Sequence, residues 1–305
     1  MNKQSDILFL KEKANRQSGQ SDDLQTSYAA DISFKRILKI DPKSPNTYYA
    51  LGNLSLDQEN YSQAEKFFRK AAILNPSFTD IYHNWGICLA KQNVYDEAAR
   101  LFKKAIDLDS NDALTLCMLG NVFSEQGLHN EALETYEKVL AMDPTFSEIH
   151  VNYGQTLFEA GDYGKAIEQY QKAIAKNPHN LYIKNEMGLC FLVQQHYEEA
   201  IDCFKTVIDH NEAIDLEWIN WSMALWQQDK KEEAMEIFKK GEEFIYQADD
   251  PNDAKQETIE IYRYNLLSFQ RNAKQISEKG KKAGVLKTIE SIKFILDLLE
   301  DKRDE

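Results

Sequence analysis

Cysteine is scarce and unpaired in this chain of 305 residues. The four, Cys88, Cys117, Cys190 and Cys203, form no CxxC pair, and no Cys/His cluster has zinc-ligand spacing. They read as buried, reduced thiols, which points to a reducing compartment and a cytoplasmic location. No metal and no cofactor is expected. With 12 glycines and 6 prolines, the sequence has little material for long turn-rich loops, so helices are favoured. No apolar run approaches the roughly 18 residues of a membrane span. No signal peptide is expected either, because Ile7-Leu8-Phe9-Leu10 meets Lys11, Glu12 and Lys13 at once. Positive charge is in deficit: 36 Lys and Arg stand against 50 Asp and Glu, a net charge of −14. Such a surface repels nucleic-acid phosphates and anionic headgroups, and it tolerates basic partners. Catalytic signatures are missing too. There is no GxSxG, no P-loop and no GxGxxG after a strand. The histidines are scattered, and Glu198-Glu199 and Glu232-Glu233 fall on polar helix faces. No catalytic residue is assigned, and the chain reads as not an enzyme.

What is present is a period. Gly52, Gly86, Gly120, Gly154 and Gly188 follow one another at thirty-four residues, each after a large apolar residue. Ser222 takes the sixth place, after Trp221. Ala64, Ala98, Ala132, Ala166, Ala200 and Ala234 keep the same step, as do Phe68, Phe102, Tyr136, Tyr170, Phe204 and Phe238. Pro76, Pro144 and Pro178 close units. Glycine inside a helix costs about 1 kcal/mol against alanine, so close approach of a neighbouring helix must offset it. The alanines are expected to serve that contact from the other side, with the aromatic one turn on filling the wedge.

This stretch resembles the tetratricopeptide repeat, a thirty-four-residue helix–turn–helix. Tyr48-Tyr49-Ala50-Leu51-Gly52 with Ala64, Phe68 and Pro76 carries the resemblance, and so does Tyr82-His83-Asn84-Trp85-Gly86 with Ala98 and Phe102. It implies an all-α fold, a right-handed superhelical solenoid of such repeats. Residues 1–44 read as a variant N-terminal unit: a helix near residues 7–14, a turn at 18–23 and a second helix that Pro42 ends. Residues 45–248 make six units. Residues 249–305 lose the signature but keep helical stripes: Ile259, Tyr262, Leu266, Phe269, Ala273 and Ile276, then Val285, Ile289, Ile292, Leu296 and Leu299. A basic turn is expected at 278–284. The two stripes read as a helical hairpin capping the open end of the stack.

The resemblance also implies a concave groove lined by the first helix of each unit. Its early positions are polar, with Tyr49, Asn53 and His83. Its later ones are apolar, with Phe158, Leu189, Leu192, Val193, Ile219, Met223 and Trp226, beside Tyr182. An exposed apolar stripe of that size meets a partner. Asn53, Asn84, Asn121, Asn152, Asn185 and Asn220 recur at or beside the groove. An amide both donates and accepts, so the row could hold an extended peptide backbone; the other reading is that these asparagines cap and solvate neighbouring helices. The carboxylate clamp of related co-chaperones is not expected. Lys11 and Asn15 begin it, but Ala50, Asp80 and Asn84 break it, and both later registers fail.

Three readings follow. The chain is an adaptor holding a peptide or helix of a protein partner in the groove. Alternatively it is a structural subunit, or a homo-oligomer, joined through the convex face or the C-terminal helices. In the third, the hairpin folds back over the apolar groove.

Overall fold

The computed structural model describes residues 24–210, 215–247, 250–275 and 279–300. Within them lie fifteen helices and no strand. The chain divides into two compact units, Met1–Pro144 and Thr145–Glu305. The first contains α1 (Leu24–Ile40), α2 (Pro45–Asp57), α3 (Tyr61–Leu74), α4 (Thr79–Ala90), α5 (Tyr95–Leu108), α6 (Ala113–Glu125) and α7 (His129–Met142). The second contains α8 (Ile149–Glu159), α9 (Tyr163–Lys176), α10 (Leu181–Val193), α11 (Tyr197–His210), α12 (Asp215–Gln227), α13 (Lys231–Gln247), α14 (Pro251–Gln275) and α15 (Lys279–Glu300). The helix expected at 7–14, the turn at 18–23, Lys11, Asn15 and Ile276 lie outside the described residues.

Local chemistry starts and ends these helices. Ser44 accepts from the Thr47 amide with Pro45 at the first helical position, and Asn60, Asp112, Asp162 and Asn180 cap α3, α6, α9 and α10 in the same way. Between the two helices of each repeat, one residue takes a left-handed backbone: Glu59, Asn93, Gly127, Gly161, Gln195 and Asp229, with φ between 57° and 81°. These too step by thirty-four. Only two are glycine, so four repeats carry the turn on a residue that pays for its Cβ.

The periodic glycines sit under aromatic rings. A Cβ added at Gly52 would lie 2.5 Å from Phe68, and at Gly86, Gly120, Gly154 and Gly188 it would meet Phe102, Tyr136, Tyr170 and Phe204 at 2.5–2.6 Å. The expected alanine contact is therefore not the one that requires glycine. The alanines are buried in the core, but the ring one turn later takes the space a Cβ would need. At the sixth position Ser222 is buried and returns its hydroxyl to the Ile219 carbonyl at 2.7 Å.

The C-terminal segment corrects one detail. The basic stretch 278–284, expected as a turn, is helical from Lys279 onward, with Gly280 and Gly284 inside α15. Gly284 is a close-approach glycine, because a Cβ there would run into the carbonyl oxygen of Val193 on α10.

Two substitutions test this packing. Gly52→Ala, which in an ordinary helix gains about 1 kcal/mol, should here lose about 1–3 kcal/mol by overpacking against Phe68. Chemical denaturation reads the sign, and a stabilised variant would refute the contact. Glu59→Gly should instead stabilise by about 0.5–1 kcal/mol by relieving the left-handed turn.

Candidate functional site

In the first unit, the first-helix face is built by α2, α4 and α6. The sequence places Tyr49 and Asn53 one turn apart on α2, with Asn84 on the next first helix. Asn84 Nδ2 donates to the Tyr49 hydroxyl at 2.9 Å and to Asn53 Oδ1 at 2.8 Å. His83 Nδ1 lies 2.5 Å from Thr115 Oγ1, and that hydroxyl donates to Asp112, the cap of α6. Burial holds the His83 imidazole below its ordinary value, against the pull of Asp112 and Asp80. Asn121 accepts from the Tyr136 hydroxyl at 2.8 Å. The amide row thus pairs repeat to repeat and first helix to second helix. Leu114, in the first turn of α6, is 49% exposed.

In the second unit, the corresponding face belongs to α8, α10 and α12, and the chain covers it with its own hairpin. Phe158 meets Phe269 edge-on at 5.7 Å between ring centroids. Asn272 is buried on α14 and donates to the Tyr163 hydroxyl at 3.1 Å and to the Phe158 carbonyl at 3.4 Å. Asn220 donates to Asn185 Oδ1 at 3.2 Å and accepts from the Tyr262 hydroxyl at 3.1 Å. On α15, Phe294 stacks on Trp226 at 3.7 Å, and Thr288 accepts from Gln227 at 3.4 Å. Helix α15 packs on both α10 and α12.

The expected open apolar groove is therefore closed. Phe158, Leu189, Leu192, Val193, Ile219 and Met223 are all buried, and Trp226 is half-buried beneath Phe294. The reason is simple: an apolar stripe left in water is costly, and a tethered stripe of matching period lies within reach. Tyr182 alone among the expected apolar and aromatic contacts of this unit stays open, at 51% exposure.

Beside Tyr182 a cavity of about 470 Å³ remains between α10, α12 and α14. Glu186 and Glu217 border it from the repeats, and Tyr262 and Asn265 from α14. Burial, reinforced by the like charges of Glu159 and Glu217, lifts the Glu186 carboxyl from 4.5 to about 7. Sequence reasoning placed Tyr262 and Phe269 on an apolar stripe, but missed Asn272 and the carboxylates. Asn272 had a signal, as a lone amide flanked by Phe269 and Ala273. Glu186 and Glu217 had none, because a helix-face glutamate looks solvated until something covers it.

The four cysteines are free and buried, and burial pushes Cys88 and Cys203 up to about 11. Among the described residues, no group of three or more His, Cys, Asp and Glu could hold a metal ion. No helix among them is long and apolar enough to cross a membrane.

Comparison with known proteins gives three family matches. Residues 45–78 and 78–145 match models of the tetratricopeptide repeat, and residues 125–207 match one described as anaphase-promoting complex, cyclosome, subunit 3. No curated protein sequence matches the chain. Among solved structures, PilF of Pseudomonas aeruginosa is similar at 18% identity with a TM-score of 0.57, over 70% of this chain and 94% of that one. The crystal structure of MamA is similar at 27% identity with a TM-score of 0.51, over 54% and 91%. YrrB, described as a TPR protein with an unusual peptide-binding site, is similar at 20% identity with a TM-score of 0.50, over 58% and 91%.

The raised Glu186 carboxyl makes a pH prediction. A carboxyl held above its unfolded value binds a proton in the closed form that the open form releases. Its contribution is thus whole below pH 4.5 and falls as pH rises through about 7. Hydrogen exchange should show α14 and α15 better protected at pH 5 than at pH 8, and Glu186→Gln should flatten that difference. Independently, Asn272→Ala should lower hairpin protection by about 1–3 kcal/mol, because it strands the buried Tyr163 hydroxyl.

Proposed function

Since the chain belongs to the tetratricopeptide-repeat family, we propose that it is a non-enzymatic adaptor that holds a peptide or helix of a protein partner on its first-helix faces. The coarse part, a role in protein–protein interaction, comes with the fold. The finer part rests on one observation: in unit two this face already holds a helical segment through side-chain contacts. That is the mode in which a groove takes an amphipathic helix. In unit one, Tyr49, Asn53 and Asn84 form a polar platform of the kind that suits an extended backbone. The net charge of −14 favours basic protein segments over nucleic acid. The buried reduced thiols fit a cytoplasmic setting.

A structural subunit is the second reading. The match to a model named for a subunit of a large complex supports it. So do Tyr264 and Leu267, 67% and 61% exposed on α14. The buried hairpin stripes, by contrast, pack within the chain.

Affinity purification of the full chain from its native host, with mass spectrometry, tests the proposal. Wild type should retain a defined set of proteins, part of which Tyr49→Ala/Asn84→Ala loses while remaining folded by circular dichroism. A chain that retains nothing above background sinks the adaptor reading. A dimer by light scattering that Tyr264→Lys/Leu267→Lys dissolves would favour assembly instead.

A further inference from the structure

Helix α14 has one side turned to the groove and one turned to water. Tyr262, Phe269 and Asn272 reach into the groove of unit two, and α15 packs along the helix. The opposite side carries Glu257, Glu260, Tyr264, Leu267, Arg271 and Lys274, and all of these are exposed. They step by three and four residues in strict alternation, which is the spacing of a helix–helix seam. Charge is sorted along that seam. Its N-terminal pair is acidic, its C-terminal pair is basic, and its middle pair is aromatic and aliphatic. Tyr264 and Leu267 are 67% and 61% exposed, more than any other large apolar side chain among the described residues of unit two.

Such an order is complementary to itself about a two-fold axis. Laid antiparallel, with Tyr264 on Leu267 of a second copy, α14 sets Glu260 opposite Arg271 and Glu257 opposite Lys274. The symmetry then repeats each contact. Laid parallel, the same helix would set acid on acid and base on base. Arg263, beside the seam, pairs with Glu300 of its own copy at 2.7 Å. The chain as a whole carries a net charge of −14, which opposes self-association, so cations are needed where two copies touch, and the seam holds them there.

We propose that the outer face of α14 is a homodimer seam, on which the α14 of a second copy docks antiparallel in this register. One stripe on one helix is small beside the roughly 1,600 Å² of a standard interface, so the dimer is weak, with a Kd in about the micromolar range. Its charged ends make it sensitive to salt. The proposal deepens the second reading above, in which the chain joins an assembly, and rests on that reading and not on the groove.

Sedimentation velocity of the full chain over a concentration series tests it. Wild type should pass from monomer to dimer, and about 0.5 M salt should move that transition to at least tenfold higher concentration. Glu257→Lys/Glu260→Lys makes the seam wholly basic, and Arg271→Glu/Lys274→Glu makes it wholly acidic. Each variant alone should stay monomeric with a wild-type circular dichroism spectrum. Mixed in equal amounts they should dimerise, because only the mixed pair sets opposite charges together on both sides of the axis. All four substitutions on one chain should restore the homodimer. A mixture that stays monomeric overturns the proposal. So does an oligomer that both charge variants leave intact, although the assembly reading would then stand with its interface elsewhere. A wild type that remains monomeric and enters no larger complex removes both. Loss of a captured protein by the charge variants, with wild type at the mass of one chain, would give the seam to another protein's helix and overturn the second copy.

Discussion

Everything in this molecule depends on an aromatic ring closing over a glycine. In five repeats the ring of Phe68, Phe102, Tyr136, Tyr170 or Phe204 occupies the place of a missing side chain on the first helix. That contact brings the two helices of a repeat together and buries the ring completely. It also explains why a helix tolerates glycine at the same step five times: the propensity loss of about 1 kcal/mol is small beside the burial of an aromatic ring. Because the second helix occupies one side of each first helix, the opposite side is left to face something else. The interaction surface is a by-product of the scaffold contact.

What that surface meets differs between the units. In the first, polar side chains bind one another: Asn84 with Tyr49 and Asn53, His83 with Thr115. In the second, apolar side chains meet the hairpin. The difference follows composition. Amides and hydroxyls can face water at little cost, so they need no cover, whereas Phe158, Leu189, Ile219 and Met223 do. The hairpin supplies both apolar cover and hydrogen-bond partners, through Phe269, Phe294, Asn272 and Tyr262.

Much of this was legible from residue order. The thirty-four-residue step announced the repeat, and the stripe from Ile259 to Ala273 announced an amphipathic helix. The groove positions followed only from the family resemblance, and the seat of the hairpin on them remained one reading of three. The left-handed turns at Glu59, Asn93, Gln195 and Asp229 were invisible, because a polar residue in a turn carries no mark of its backbone sign. Gly284 misled in the other direction. Glycines in a basic stretch resemble a turn, yet this one makes room for the Val193 carbonyl within a helix.

The sequence by itself determined the repeat, its helices and the residues that line each first-helix face, because all of these are short-range consequences of period, capping and ring-on-glycine packing. Only the tertiary structure decided which face is covered. That choice pairs residues more than a hundred positions apart, such as Asn272 with Tyr163 and Phe269 with Phe158. It turns on matching two apolar stripes in space, which no periodicity along a single helix records. The fold likewise sets Glu186 half-buried beside Glu159 and Glu217, where its carboxyl is lifted to about 7, so the chemistry of the candidate site belongs to the fold and not to the residue.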